Sequence, residues 1–465
     1  MKIGFYGAAR TVTGSKHLIS LESGKKVLLD CGLFQGGKEI EMQNTHFGFI
    51  PSEVSVLVLS HAHIDHSGLI PKLVKEGFNG KIFCSDATAD LVKILLKDSA
   101  KIQEEDTAFV NKRRIAKGQK PIEPLYTSEE VEATLDMIYV KEMNKSFHVL
   151  DEVKCTFTDA GHILGSCVVN LEITEKKKIV KICFTGDVGR YSNPIIKSPE
   201  KFYQADYIIC ESTYGDSLHD EVAITDQSLE EIINTTCVKR QGKLIIPAFS
   251  VGRTQELVYA LNRLEVNGKL PKIKVYIDSP LSYHATQITR NHPECFNNEV
   301  RHFMERDEDP FAFKGLEYIT EATDSKALNS RKEPCIIISA SGMAEFGRIK
   351  HHIANNIENP NNTILIVGYC EPNSLGARLQ SSDKEVRIFG EFFKKNAELR
   401  RIRSFSAHAD YSDLLYFLSC QDAKKVEKIF LVHGEYNVQL QFKKKLIKKG
   451  FDFVEIPYFK QEITI

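Results

Sequence analysis

Within six residues, His61-Ala62-His63-Ile64-Asp65-His66, the chain sets three imidazoles and one carboxylate. They follow the apolar run Val54-Ser55-Val56-Leu57-Val58-Leu59 and precede the helix-like Gly68-Leu69-Ile70-Pro71-Lys72-Leu73. A short run rich in Val and Leu reads as a buried strand, which puts the histidines in the loop at its carboxyl end. Open α/β sheets keep their ligands there. His61 and His63 can present imidazoles to one metal ion, while Asp65 and His66, further round the turn, point past it and can serve a second. Imidazole and carboxylate without thiolate suit zinc, with manganese or iron as less frequent alternatives. The competing reading is a polar loop with chance histidines, and so dense a cluster weighs against it.

At 465 residues the chain is too long for one simple core, and two domains are expected. Lys plus Arg number 61 against 62 Asp plus Glu, so net charge argues neither for nor against a nucleic-acid partner. The 11 cysteines are scattered, most of them in or near apolar runs such as those around Cys183, Cys210 and Cys335. They read as reduced core residues. No apolar stretch has the length of a signal-peptide core or a membrane span. A cytoplasmic protein without membrane contact is the expectation.

Residues from Lys2 to about Gly32 alternate apolar and polar in three pieces parted by Gly-containing turns, which predicts antiparallel strands. Asp30 ends the third, where its carboxylate suits a brace behind the histidines better than a direct ligand. Ala87 to about Gly118 has a helical, heavily charged pattern, and Thr127-Ser128-Glu129-Glu130 fits a capping box opening another helix. Lys112, Arg113 and Arg114 read as a solvated face, with phosphate contact the minor alternative. Strands return from about His148, turn through Glu175-Lys176-Lys177-Lys178, and run to Asp187. His162 sits in a Gly-bracketed turn, and Asp187 between Gly186 and Gly189 at a strand end. Given the other donors, His162 reads as a third imidazole for the first ion and Asp187 as a bridge between two.

After about Asp206 the rhythm becomes strand, Gly/Ser loop, helix, the pattern of a parallel sheet with crossover helices. Examples are Leu244 to Arg253, Val275 to Pro280, Ile336 to Met343 and Ile364 to Tyr369. Small residues at such strand ends leave N–H groups free for phosphate. Ser341, Gly342 and Arg348 are the substrate-binding candidates, with Arg253 and Arg378 as weaker ones. The competing reading makes the glycine a backbone necessity and pairs each arginine with an internal carboxylate.

His-x-His-x-Asp-His after a strand resembles the signature of the metallo-β-lactamase superfamily. Val27-Leu28-Leu29-Asp30-Cys31-Gly32 resembles its first motif, and Ala160-Gly161-His162 and Phe184-Thr185-Gly186-Asp187 its third and fourth. Glu211 in Glu211-Ser212-Thr213-Tyr214-Gly215-Asp216, His408 in Phe405-Ser406-Ala407-His408-Ala409-Asp410, and His433 in Leu431-Val432-His433-Gly434-Glu435 resemble motifs A, B and C of the β-CASP branch. The resemblance implies an αββα metallo-β-lactamase fold, residues 1–206 and 399–465, with an inserted α/β β-CASP domain at 207–398. It also implies two zinc ions, or manganese in their place. His61, His63, His162 and Asp187 would ligate the first ion; Asp65, His66, Asp187 and His433 the second. Asp65 and Asp187 would thereby be catalytic, with His408 as a proton donor oriented by Glu211.

The implied activity is hydrolysis of single-stranded RNA, because a His at motif C resembles the RNA-processing members more than the DNA-repair members, with endonucleolytic cutting expected in preference to exonucleolytic. Two departures bear on substrate grip: Ser217 stands where a basic residue is frequent, and Cys370-Glu371-Pro372-Asn373-Ser374 replaces a more Gly-rich loop. No added amino-terminal RNA-binding domain or carboxyl-terminal dimerisation extension is read, and a monomer or homodimer is expected. Two alternatives stand beside this reading. One is a related hydrolase of small esters or phosphoesters, and the other a non-catalytic subunit of an RNA-processing complex.

Overall fold

The computed structural model describes residues 1–176, 178–219, 222–368, 370, 373–402 and 406–465, without the side chains of Lys38 and residues 222–225. Lys177, Tyr369, Glu371, Pro372 and Phe405, each part of a motif or turn quoted above, lie outside the described residues. The alternating amino-terminal segment forms the antiparallel strands Lys2–Phe5, His17–Ser20 and Lys26–Leu29. Val56–Val58 then joins Lys26–Leu29 in parallel, followed by Lys81–Cys84 and Ile138–Val140. Gln461–Thr464 closes the opposite edge of this seven-stranded sheet.

A second seven-stranded sheet runs in the order Val454–Glu455, Lys428–Val432, Tyr207–Glu211, Lys178–Phe184, Cys167–Glu175, Val153–Asp159, Ser146–Leu150. The sheets face one another: Phe5, Leu29 and Val58 of the first share a buried cluster with Phe157, Phe184 and Phe430 of the second. Burying each such side chain is worth roughly 1.5–3 kcal/mol, so this interior is the main stabilising term of the unit. On the outer face of the second sheet, Ile208, Cys210, Ile429 and Leu431 pack with Leu414 and Phe417 of Tyr411–Leu418 and with Phe442 and Leu446 of Tyr436–Lys448. The helices Ile70–Lys75 and Asp86–Ala116 lie in the crossovers between the first sheet's successive parallel strands, with Leu73, Leu91 and Leu96 buried. The layering is αββα. Thr127 and Glu130 form the capping box of Ser128–Leu135, as their spacing predicts.

The chain divides into two compact units: Met1–Tyr191, Lys197–Leu218 and His408–Ile465 make the first, Ser192–Ile196 and His219–Ala407 the second. In the second, six strands form a wholly parallel sheet, ordered Leu316–Tyr318, Lys274–Asp278, Cys335–Ser339, Leu244–Pro247, Thr363–Ile366, Glu398–Arg401. Two unit boundaries fall at other residues than the sequence reading placed them. Tyr207–Glu211, expected to open the insertion, lies inside the second sheet of the first unit, where its apolar residues are buried on both faces. Residues 399–402, expected back in the first fold, stay in the second unit because Glu398–Arg401 pairs with Thr363–Ile366. All eleven cysteines are free thiols, and no described helix is long and apolar enough to cross a membrane.

Lys16 is buried with its Nζ donating to the carbonyls of Gly14 (2.8 Å) and Gly32 (2.7 Å), 4.1 Å from the centroid of the Phe34 ring. Burial lowers its ammonium from 10.5 to about 7. Between those values the unfolded chain holds the proton more tightly than the folded one, so stability rises with pH across that window. Urea midpoints taken from pH 7 to 10 should therefore show the wild type gaining on Lys16→Met. A constant difference would place this ammonium's titration elsewhere.

Candidate metal centre

Three adjacent parallel strands of the second sheet, Lys178–Phe184, Tyr207–Glu211 and Lys428–Val432, end side by side. Asp187, Glu211 and His433 stand at or just beyond these ends. The first sheet contributes the loop after Val56–Val58, which carries His61, His63, Asp65 and His66. That loop is held from behind. Asp30 accepts from the Ser60 backbone N–H (2.7 Å) and hydroxyl (2.8 Å), and its Oδ2 lies 2.6 Å from His66 Nδ1. Asp30 is thus behind the imidazoles, not among the converging donors. Gly32 lies against the same loop, where a Cβ would sit 1.6 Å from the Asp65 carbonyl oxygen. The His162 loop meets the Asp187 loop through a similar contact. A Cβ at Gly189 would lie 1.6 Å from the Gly161 oxygen, and Gly189 N–H donates to Ala160 (2.8 Å).

The donor atoms fall into two sets. In the first, His61 Nε2 and His162 Nε2 each lie 3.2 Å from His63 Nδ1 and 3.5 Å from Asp187 Oδ2. In the second, Asp65, His66 and His433 converge, with His433 Nε2 3.4 Å from Asp65 Oδ2 and His66 Nε2 3.3 Å from Asp187 Oδ1. An ion bound tetrahedrally at about 2.0–2.1 Å holds its donors roughly 3.3 Å apart, which is the spacing found. His66 Nε2 and Asp187 Oδ1, which face each other in the second set, are moreover buried without a well-aligned hydrogen bond, a costly arrangement unless another ligand claims them. These residues fit a metal.

Burial dominates the electrostatics of the first set's imidazoles. It drives the His61 and His162 imidazoles well below their usual range and His63 down to about 4, keeping all three in the neutral, metal-donating form at pH 7. Burial also opposes charge on Asp187, but His433, His66 and His408 outweigh it and hold the carboxyl well below its usual range. His408 stands at the edge of the sets, its side chain 21% exposed, with Nδ1 3.3 Å from Glu211 Oε1 and 3.8 Å from Asp187 Oδ2. Burial lowers its imidazole, yet the Glu211 and Asp187 carboxylates raise it to about 9. Glu211 is itself fixed, accepting from Val188 N–H (2.6 Å) and from the Thr213 hydroxyl (2.7 Å).

With this geometry in hand, the chain's likenesses can be placed. Residues 17–219 match the model of the metallo-beta-lactamase superfamily, 254–379 the Beta-Casp domain, and 394–457 the Zn-dependent metallo-hydrolase RNA specificity domain. A ribonuclease of Thermus thermophilus is 34% identical over 450 residues, 97% of each chain. The chain belongs to the β-CASP branch of the metallo-β-lactamase superfamily. An RNase J-like protein of Methanocaldococcus jannaschii is 30% identical, covering 94% of this chain and 93% of its own. A transcription termination factor of Methanosarcina mazei is 28% identical over 97% of this chain and 69% of its own. A protein of unknown function from Enterococcus faecalis shares the fold with a TM-score of 0.54 at 11% identity, spanning 100% of this chain and 99% of that one. Membership in a metallo-hydrolase superfamily, with the His/Asp donor sets, makes this a metal-binding hydrolase.

The residues expected to contact phosphate in the β-CASP unit are engaged within the protein. Arg348 NH1 bonds the buried Asp278 (2.7 Å) and NH2 the Thr320 carbonyl (2.6 Å); Arg253 is buried against Glu256. Arg378 binds the Asn373 carbonyl and lies 3.5 Å from Glu345. Each arginine has found an internal acceptor, which competes with phosphate for the same guanidinium. Ser341 turns its hydroxyl into its own loop, toward the backbone of Phe346 (3.3 Å), and Gly342 is small because a Cβ there would meet the Phe249 ring at 2.5 Å. Sequence reasoning passed over Thr213, whose hydroxyl touches Glu211 Oε2 and, at 3.0 Å, His433 Nδ1. Its signal was its place two residues after Glu211 in a motif already singled out.

Proposed function

We propose that the chain is a ribonuclease that hydrolyses phosphodiester bonds of single-stranded RNA at a dinuclear zinc site, cutting internally. The observation that carries this is the pair of donor sets meeting at Asp187 with a carboxylate-backed imidazole, His408, at their edge. The ribonuclease and RNase J-like names of the relatives supply the substrate class. His61, His63, His162 and Asp187 would hold one ion and Asp65, His66, Asp187 and His433 the other, with manganese as the alternative metal. Bound there, the ions supply Lewis-acid charge and a water that ionises near neutral pH.

The chain's own residues supply the rest. Glu211 accepts from His408 Nδ1–H, which favours the imidazolium and leaves Nε2 to give its proton to the departing ribose oxygen. Val188 N–H and Thr213 keep the Glu211 carboxylate fixed, so the imidazole is oriented before substrate arrives. Asp30 orients His66 from behind. Asp30→Ala should therefore weaken zinc binding about 10- to 100-fold in competition with a chelator. Unaltered affinity would reduce Asp30 to a structural turn residue.

The test of the reading is cleavage of an end-labelled single-stranded RNA by the zinc-loaded protein beside matched DNA. Internal RNA fragments are expected, with DNA left intact. Shortening from one end would replace endonuclease by exonuclease, and no cleavage with two zinc ions bound would sink the ribonuclease reading in favour of a small-ester hydrolase.

A further inference from the structure

With Arg253, Arg348 and Arg378 tied to internal acceptors, the β-CASP unit opens to solvent through aromatic rings at the start of the helix Arg348–Asn356. A cleft of about 390 Å³ is lined by Phe346, Phe389, His351 and Lys350, with Glu345 and Arg348 alongside. Phe346 is 66% exposed and Phe389 53%, so neither ring is there to fill a core. His351 and Phe389 lie with ring centroids 4.5 Å apart and planes inclined by 32°, and Lys350 Nζ is 5.2 Å from the Phe389 centroid.

The backbone under Phe389 is the second observation. Glu385–Ile388 and Glu391–Lys394 pair with Ile388 opposite Glu391, leaving Phe389-Gly390 as a two-residue turn. Both turn residues hold positive φ, 53° and 92°. Such turns select Asn, Asp or Gly, and a bulky aromatic ring at the first position is an outlier. Strain of this kind persists where the surroundings over-determine it, and it gathers at binding sites. Here it points an exposed ring at an exposed imidazole. Phe346 is carried on a loop closed by bonds to Ser341, with Ser341 N–H donating to the Phe346 carbonyl (3.1 Å), so this second ring also has a braced backbone.

We propose that this cleft is a nucleobase-stacking subsite for single-stranded RNA, in which a base lies on the Phe389–His351 pair with Phe346 as its other wall. The proposal rests on the ribonuclease reading and adds where that unit holds its substrate. Stacking suits a chain of near-zero net charge, 61 basic against 62 acidic residues, because every base offers a flat face whatever its sequence. The cleft's volume also exceeds what one base needs, leaving room for its ribose.

The test uses Phe389→Asn, because asparagine accepts the left-handed turn that phenylalanine strains, so the variant should melt no lower than wild type. Binding of an uncleavable 2′-O-methyl RNA decamer to the zinc-loaded protein should weaken about 5- to 100-fold, the range for loss of one stacked base. Turnover of a small chromogenic phosphodiester should be unchanged, and a decamer with abasic positions should bind both proteins equally poorly. The chain has no tryptophan, so Phe389→Trp supplies a single reporter whose emission the RNA decamer should quench and the abasic one should not. Wild-type affinity in Phe389→Asn, or quenching by the abasic decamer, would overturn the subsite while leaving the ribonuclease reading intact. Failure of the wild type both to bind and to cleave RNA would remove the two together. Self-association that Phe389→Asn abolishes would assign the rings to a second copy of the chain instead.

Discussion

Asp187→Ala is expected to abolish RNA cleavage to at least about 10³-fold below wild type, because a bound ion contributes several kcal/mol to the reaction. Its two oxygens face different partners, Oδ2 toward His61 and His162 and Oδ1 toward His66. No other carboxylate among the described donor groups belongs to both the first set and the His408–Glu211 group. Metal analysis should find the variant with one ion or none, against the two expected of the wild type on the proposed reading. A variant that keeps two ions and loses activity would show that the carboxylate acts on substrate and not as a bridge. Asp187→Asn separates charge from shape: it retains the bulk but not the negative charge, and should resemble the alanine variant in metal content.

His408→Ala is the second large effect, a fall of about 10²–10⁴-fold in kcat with the zinc content unchanged. His433→Ala should instead lose the second ion, since His433 lies among Asp65 and His66. Equal metal loss in the two variants would refute this division of labour. The pH profile gives an independent reading. An acid must be protonated to act, so kcat declines as pH rises through the imidazolium's pKa. The Glu211 and Asp187 carboxylates raise that value, against burial, to about 9. Cations at the neighbouring donors would pull it down, which puts the alkaline limb at or below pH 9. His408→Ala should lack that limb, and Glu211→Gln should shift it to lower pH by removing the carboxylate 3.3 Å from Nδ1. A limb that stays put in Glu211→Gln would assign it to another group.

The Phe389 substitution tests a different kind of contact. The metal centre draws on charge held in a buried place, whereas the aromatic cleft draws on exposed surface, so the two should respond independently. Double substitution at His408 and Phe389 should be additive in free energy unless one base position governs both binding and cleavage.

How legible each part was follows from how local its causes are. His61, His63, Asp65 and His66 sit within six residues, and the Val/Leu run before them dictates a strand, so their loop and its chemistry can be read directly from the chain. The capping box at Thr127 and Glu130 and the parallel strand–loop–helix rhythm of the second unit are local in the same way. His433 is not. It lies 368 residues from Asp65, and only the parallel pairing of Tyr207–Glu211 with Lys428–Val432 lines up their ends and brings it to the donors. Resemblance could name it; periodicity could not. The arginines mark the opposite limit. A guanidinium reads as a free phosphate contact until its acceptor is known, and for Arg348 that acceptor is Asp278, 70 residues away. The sequence by itself thus determined the donor types, the strand ends that bear them and the two-part architecture. Tertiary structure alone decided that Asp278 engages Arg348, where the unit boundaries fall and which rings remain open, because ion pairing and burial depend on neighbours brought together only by the fold.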